Sequence, residues 1–208
     1  MFNYPIRFKN SSFLIKLIAS LIISLGMSFT VLAQDTIDQV KLSPQEQTKL
    51  NQGQVVLKGS KGKYVGEVIA TGNVNTAWQV LTDYNNFRNF LPNVSASRIV
   101  KSNGDRKIFE QVNKVDLFFY TQEYTVQIES SEVKPQKITF KLYKGDLKHL
   151  SGSWQIKKID ANRIMVIHTA DVVPKTTTEK AFFYGIYENS IEKTLAAISL
   201  EITKRSKN

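Results

Sequence analysis

The stretch Tyr120-Thr121-Gln122-Glu123-Tyr124-Thr125-Val126-Gln127-Ile128-Glu129 alternates without a break. Tyr120, Gln122, Tyr124, Val126 and Ile128 fall on one side of an extended chain, and the five intervening polar residues fall on the other. A period of two marks a strand with one face buried, and such half-buried strands belong to antiparallel sheets. Working outward, Asn103-Gly104 is a strong hairpin signal between strands expected over 97–101 and 107–115. On the other side, Lys134-Pro135-Gln136 turns into a strand with Ile138, Phe140 and Leu142 on one face. Gly145-Asp146 then leads to Leu150, Gly152, Trp154 and Ile156, and the last strand runs from Arg163 to Val173, closed by Pro174.

Past Pro174 the period changes. Phe183, Tyr187, Ile191, Leu195, Ile198 and Ile202 recur at steps of four and three, a single apolar stripe on a helix from about Thr178 to Lys204. Upstream of the sheet, Tyr64 to Thr71 reads as a strand. Asn75 is expected to cap a helix through Trp78, Val80 and Leu81, and a second short helix is expected to stop at Pro92. Earlier still, Ser43-Pro44-Gln45-Glu46 has the form of a capping box with Pro at the first helical position, opening a helix to Asn51. Gln54 to Leu57 suggests a short strand. Lys58-Gly59-Ser60-Lys61-Gly62-Lys63 lacks the spacing of a phosphate loop and reads as a flexible turn. Strands segregated from a long terminal helix define an α+β chain, with an antiparallel sheet of about six to seven strands packed on that helix.

Composition narrows the chemistry. The 208 residues are 42% hydrophobic and 22% charged and contain no cysteine. Disulfides, thiolate metal sites and cysteine nucleophiles are therefore excluded. With only two histidines, His149 and His168, a histidine-rich metal centre is excluded as well. No resident cofactor or metal is expected.

At the N-terminus Arg7, Lys9 and Lys16 precede an uncharged run from Leu17 to Gln34 that ends Val31-Leu32-Ala33, the pattern of a cleaved signal peptide over residues 1–33. The expectation is export to the periplasm, with the thylakoid lumen or the medium as alternatives. Without the leader the chain carries 25 Lys/Arg against 18 Asp/Glu, a net +7. In an exported protein that balance points to an anionic membrane surface rather than to nucleic acid, or simply to solvated surface charge.

Thr76-Ala77-Trp78-Gln79-Val80-Leu81-Thr82-Asp83-Tyr84, followed by Phe87 and Phe90-Leu91-Pro92, resembles the helix-pair signature of the START-like SRPBCC superfamily. The branch is the one labelled polyketide cyclase/dehydrase or coenzyme-Q-binding START domain. Leu150-Ser151-Gly152-Ser153-Trp154 is similar to the G-x-W pattern of a late strand there, and Asp171-Val172-Val173-Pro174 resembles the junction before the final helix. The likeness spans Lys63 to Lys204, and the polar extension over 34–62 resembles that of secreted cyanobacterial members. It implies a helix-grip fold over 63–208, a curved sheet around the C-terminal helix with an apolar cavity between them. In such a fold Phe87, Phe90 and Leu91 lie at the cavity mouth, as a gate, a membrane contact or plain packing. Relatives of this kind bind lipids, quinones or polyketides there, and a few catalyse ring closure or dehydration.

If the faces are as read, Tyr120, Tyr124, Phe140, Trp154, Tyr184 and Tyr187 converge between sheet and helix with Ile191 and Leu195. They form either an aromatic-lined pocket or a filled core. Gln122 is a candidate handle for a ligand's polar head. His168 shares a face with Ile164, Val166 and Ala170, as a satisfied core histidine or a polar spot in a cavity wall. Glu188 borders the helix stripe, as a carboxylate on the cavity, an ion-pair partner of the sheet, or a solvated group. None of these makes a nucleophile–base pair, so no catalytic residue is assigned. Three readings stay open: a carrier of a hydrophobic small molecule such as a lipid or quinone, a cyclase or dehydratase using Glu188, Gln122 or His168, and an envelope protein-interaction module with a filled core.

Overall fold

The computed structural model describes residues 42–117, 120–175 and 180–207. The expected signal peptide over 1–33 and the helix start at Thr178 lie outside the described residues. The first helix, α1 (Pro44–Asn51), carries the expected capping box: the Glu46 backbone N–H donates to Ser43 Oγ and the Ser43 N–H to Glu46 Oε2. A hairpin follows, β1 (Val56–Ser60) and β2 (Lys63–Thr71). Its two-residue turn, Lys61-Gly62, has φ of 53° and 97°, the left-handed pair whose twist matches antiparallel strands. The segment 58–63 is therefore a tight hairpin and not a flexible turn. The sheet begins at Val56, in the stretch where a short strand was expected.

Next comes α2 (Val74–Leu81), capped by Asn73 Oδ1 on the Thr76 N–H rather than by Asn75. Asn75 instead sits exposed within the first turn. A 3₁₀ turn over Tyr84–Asn89 takes the place of the second short helix and ends before Pro92. Six strands then meander: β3 (Val94–Asn103), β4 (Arg106–Leu117), β5 (Tyr120–Val133), β6 (Lys137–Gly145), β7 (Leu147–Lys158) and β8 (Arg163–Pro174). Asn103 pairs with Arg106, so the hairpin loop is Gly104-Asp105, one residue beyond the expected turn. The last element is α3 (Lys180–Arg205).

All eight strands form one antiparallel sheet in the order β1-β2-β8-β7-β6-β5-β4-β3. β2 to β8 are the strands of the expected sheet, and β1 is the short strand expected at Gln54 to Leu57. β2 closes onto β8 across most of the chain length, with Val68 opposite Val166. β3 and β1 are the rims; β3 is broken by irregularities between Val94 and Ala96 and between Ile99 and Lys101. The sheet is curved and does not close, and with α3 in its concave side it is a helix-grip fold.

The main core lies between sheet and α3, around Tyr64, Val68, Ala70, Ile191, Leu195, Ile198 and Ile202. α2 joins it through Ala77, Trp78, Val80 and Leu81. A second, smaller core lies on the far face of β2, where Leu50 of α1 packs on Val56 and Ile69. Glu46 pairs with Lys58 at 2.8 Å and pins α1 to β1. Among the described residues no helix is long and apolar enough to cross a membrane.

Candidate functional site

Inward-facing residues of β4 to β8 do not all reach α3. Between the sheet and the helix lies a cavity of about 950 Å³. β5 contributes Gln122, Tyr124, Val126, Ile128 and Ser130, the alternation read from the sequence, and β4 contributes Phe109, Gln111 and Asn113. Ile138 and Phe140 come from β6, Leu147, Leu150 and Trp154 from β7, and His168 from β8. The helix supplies Ile186, Tyr187, Ser190, Ile191, Thr194 and Ile198, with Phe182 and Phe183 at its start. Tyr84, Phe87, Leu91 and Pro92 close the side beneath the 3₁₀ turn.

The walls are ordered by aromatic contacts. Tyr84 stacks on Phe109 at 4.4 Å between centroids, and Phe87 stands edge-on to both. Across the sheet, Trp154 stacks on His168 at 3.8 Å and Phe140 lies parallel to the same imidazole at 5.6 Å. Tyr187 stacks on Phe183 at 5.6 Å.

Polar groups among the described wall residues are sparse and include no Lys, Arg, Asp or Glu. Gln111 Nε2 donates to Asn113 Oδ1 at 2.8 Å. Cross-strand register sets Asn113 opposite Tyr124, and Gln122 opposite Val115. The Tyr84 hydroxyl donates to Glu132 Oε1 at 2.9 Å, and Glu132 lies 3.7 Å from Lys107, so this phenol is engaged away from the cavity. Burial raises the Tyr84 and Tyr187 phenols above the ordinary tyrosine range. It pushes His168 down to about 3, only partly offset by a hydrogen bond to the Ser153 backbone. The imidazole is therefore neutral near pH 7, and its Nδ1 is buried without a hydrogen-bond partner. Among the described residues no group of three His, Asp or Glu could hold a metal ion.

Of the residues singled out in the sequence, Gln122, Tyr124, Phe140, Trp154, His168, Tyr187, Ile191, Phe87 and Leu91 line the cavity. Three do not. Leu195 is wholly buried in the packed core beneath Gly66. Tyr184 lies edge-on to Phe183, and its carbonyl accepts a hydrogen bond from the Tyr64 hydroxyl. Glu188 is exposed, because one residue beyond Tyr187 is a rotation of about 100° and carries it past the edge of the stripe. Phe90 lies outside the cavity too, packed edge-on to Phe87 with the Arg205 guanidinium over its ring. The Tyr120 side chain lies outside the described residues, and His149 is exposed beside Ser151.

Sequence reasoning missed Tyr84, Phe109, Gln111 and Asn113. Phe109, Gln111 and Asn113 share one face of β4, but Ile108 and Val112 on the other face are as apolar, so the period alone could not choose between them.

A curved antiparallel sheet gripping a C-terminal helix over an apolar cavity defines the START-like class of fold. The family model described as polyketide cyclase / dehydrase and lipid transport matches residues 73–198, and the chain belongs to that family. Among solved structures it is similar to the Zhui aromatase/cyclase of a Streptomyces species, with a TM-score of 0.58 and 14% identity over 74% of this chain and 94% of that one. It is also similar to a STAR-related lipid transfer protein of Xanthomonas axonopodis, with a TM-score of 0.57 and 18% identity over 71% and 92%. A START superfamily protein of Mycobacterium smegmatis aligns with a TM-score of 0.55 and 13% identity, over 74% and 98%. No curated protein sequence matches the chain significantly.

Proposed function

We propose that the chain is an exported binding protein that holds a hydrophobic small molecule, a lipid or quinone, in the cavity under α3 and carries or shields it. The observation that carries this reading is the cavity itself, whose 950 Å³ stands at the upper end of the ~300–1,000 Å³ usual for small-molecule sites. Its aromatic and aliphatic walls suit a ring or an isoprenoid chain. Burying ten methylenes would contribute roughly 8 kcal/mol before the entropy cost of association, so binding needs no chemistry. The family description includes lipid transport, and the similar structures include a lipid transfer protein as well as an aromatase/cyclase.

Delivery at an anionic envelope membrane, in the periplasm, belongs to the same reading. The charge balance and the leader-like N-terminus support it. So does a shallow apolar groove of Phe90, Leu91, Pro92, Ala196, Ala197 and Leu200 framed by Arg88 and Lys193, which shares Leu91 and Pro92 with the cavity.

The test is native mass spectrometry of the protein purified from its own envelope, with organic extraction of whatever it holds. A stoichiometric lipid, quinone or pigment is expected. A bare mass, together with no thermal shift across a panel of lipids and quinones, would sink the reading.

A further inference from the structure

We infer that the cavity takes an electrically neutral amphiphile, a ring-bearing or isoprenoid body with a hydroxyl or carbonyl held by Gln111, Asn113 and Gln122, and that it refuses carboxylates and phosphates. The inference rests on the binding reading above and names the class of ligand.

Its ground is a contrast of charge. The chain carries 28 Lys/Arg and 18 Asp/Glu, yet no Lys, Arg, Asp or Glu occurs among the described residues that line the cavity. Glu188, the carboxylate that the sequence brought nearest to the wall, points to solvent. His168 is the one basic side chain among the described lining residues, and with its proton affinity lowered by burial it supplies no positive charge at pH 7. Glu132, which meets the lining Tyr84 from behind the wall, is taken up by the Tyr84 hydroxyl and Lys107. An ionised headgroup drawn inside would meet no counter-charge among the described lining residues, and burying an unpaired charge is strongly unfavourable.

The carboxamides are placed to receive something else. Gln111 and Asn113 lie at successive inward positions of β4, and Gln122 lies on β5 next to the inward Tyr124 that pairs with Asn113. A carboxamide presents both donors and an acceptor, so this group serves a hydroxyl and a carbonyl alike. Three strand spacings along the sheet, about 14 Å, separate β5 from β8, where His168 stacks with Trp154. A neutral ligand of that length bonds its oxygen to the carboxamides and lays its ring or chain against the Trp154–His168–Phe140 stack.

The experiment uses matched probes that differ in charge alone: retinol against retinoate, and hexadecanol against palmitate, at pH 8 where both acids are ionised. Energy transfer from tryptophan reads retinoid binding, because Trp154 stands in the wall, and displacement of retinol reads the chain pair. We expect retinol to bind at least tenfold more tightly than retinoate and the alcohol to displace it at least tenfold better than the acid. Gln122→Lys, which installs a cation in the wall one inward position along from the Asn113–Tyr124 pair, should bring the retinoate preference up at least tenfold relative to retinol. Equal affinity for the members of each pair, or a net-charged molecule recovered from the native protein, overturns the neutral-ligand inference and leaves the binding reading standing. Failure of all four probes, together with an empty extract, overturns the binding reading and this inference with it.

Discussion

Over β1, β2 and β8, helix α3 lies in direct contact with the sheet; over β4 to β7 the same helix stands away from it. On the first half, Leu195 and Ile202 are wholly buried, and a Cβ added to Gly66 would come within 2.4 Å of Leu195 Cδ1. On the second half, a Cβ added to Gly185 would meet nothing within 4 Å. Both halves are apolar, so hydrophobicity alone does not decide which is filled. Small residues at Gly66 and Ala70 let the helix backbone approach β2. The curvature of the longer strands carries Tyr124, Phe140 and Trp154 out of reach of Ile186 and Ser190, and the difference is left as volume.

That contrast can be broken by experiment. Leu195→Ala should cost about 2–5 kcal/mol in urea unfolding, whereas Ile186→Ala, already facing a void, should cost about 1 kcal/mol or less. Equal losses would mean that the cavity collapses in solution.

The glycine pair gives the next largest effect. Gly66→Ala should destabilise by about 1–3 kcal/mol through overpacking, while Gly185→Ala should stabilise by about 0.5–1 kcal/mol through helix propensity. Thermal unfolding of the two variants decides it, and a loss at both positions would put the helix closer to the far strands than described.

His168 sharpens the comparison with pH. Its folded pKa is lowered from 6.5 to about 3, so between those values the unfolded chain takes a proton that the folded ring refuses. Stability therefore falls as pH drops through this window, by on the order of 1.4 kcal/mol per unit. His168→Phe should remove that slope, so that at pH 5 the native protein has lost about 2 kcal/mol more than the variant relative to pH 7. Parallel pH profiles would place the imidazole in contact with water.

The smallest effect is on the outer face. Burial raises the Glu67 carboxyl above its usual range, with Lys157 and Lys58 opposing, and its Oε2 has no hydrogen-bond partner. The neutral form is favoured in the fold, so this contribution is intact below the ordinary carboxylate pKa and is lost as pH rises through the raised one. Glu67→Gln should then stabilise by about 0.5–1 kcal/mol at pH 7, with the gain vanishing near pH 4 in denaturant titrations.

Legibility in the sequence followed the same division. Where every second residue had one fate, as in β5, β7 and β8, the strands and their inward faces could be read directly, and the capping box fixed α1. Where a segment broke its period with Lys and Gly, as at 58–63, a hairpin passed for a loop, because a left-handed turn at Lys61-Gly62 is written in backbone angles. The family could be read from the helix pair and the strand patterns. The split between a filled and an empty half could not, since Leu195 and Tyr187 stand in one stripe, yet the first packs against Gly66 and the second lines the cavity. The carboxamides of β4 were hidden by their apolar neighbours, and of the three fates open to Glu188 the exposed one holds, a single rotation past the stripe.

An eight-stranded sheet that never closes keeps two rims of unpaired backbone groups, each a template for a second molecule. Here β1 is only five residues long, and β3 is kinked by two irregularities with Arg98 and Lys101 exposed along it. A neighbouring chain would find no long, straight, uncharged edge on which to zip. Even at high concentration, the protein should stay dispersed and should not seed β-sheet aggregates.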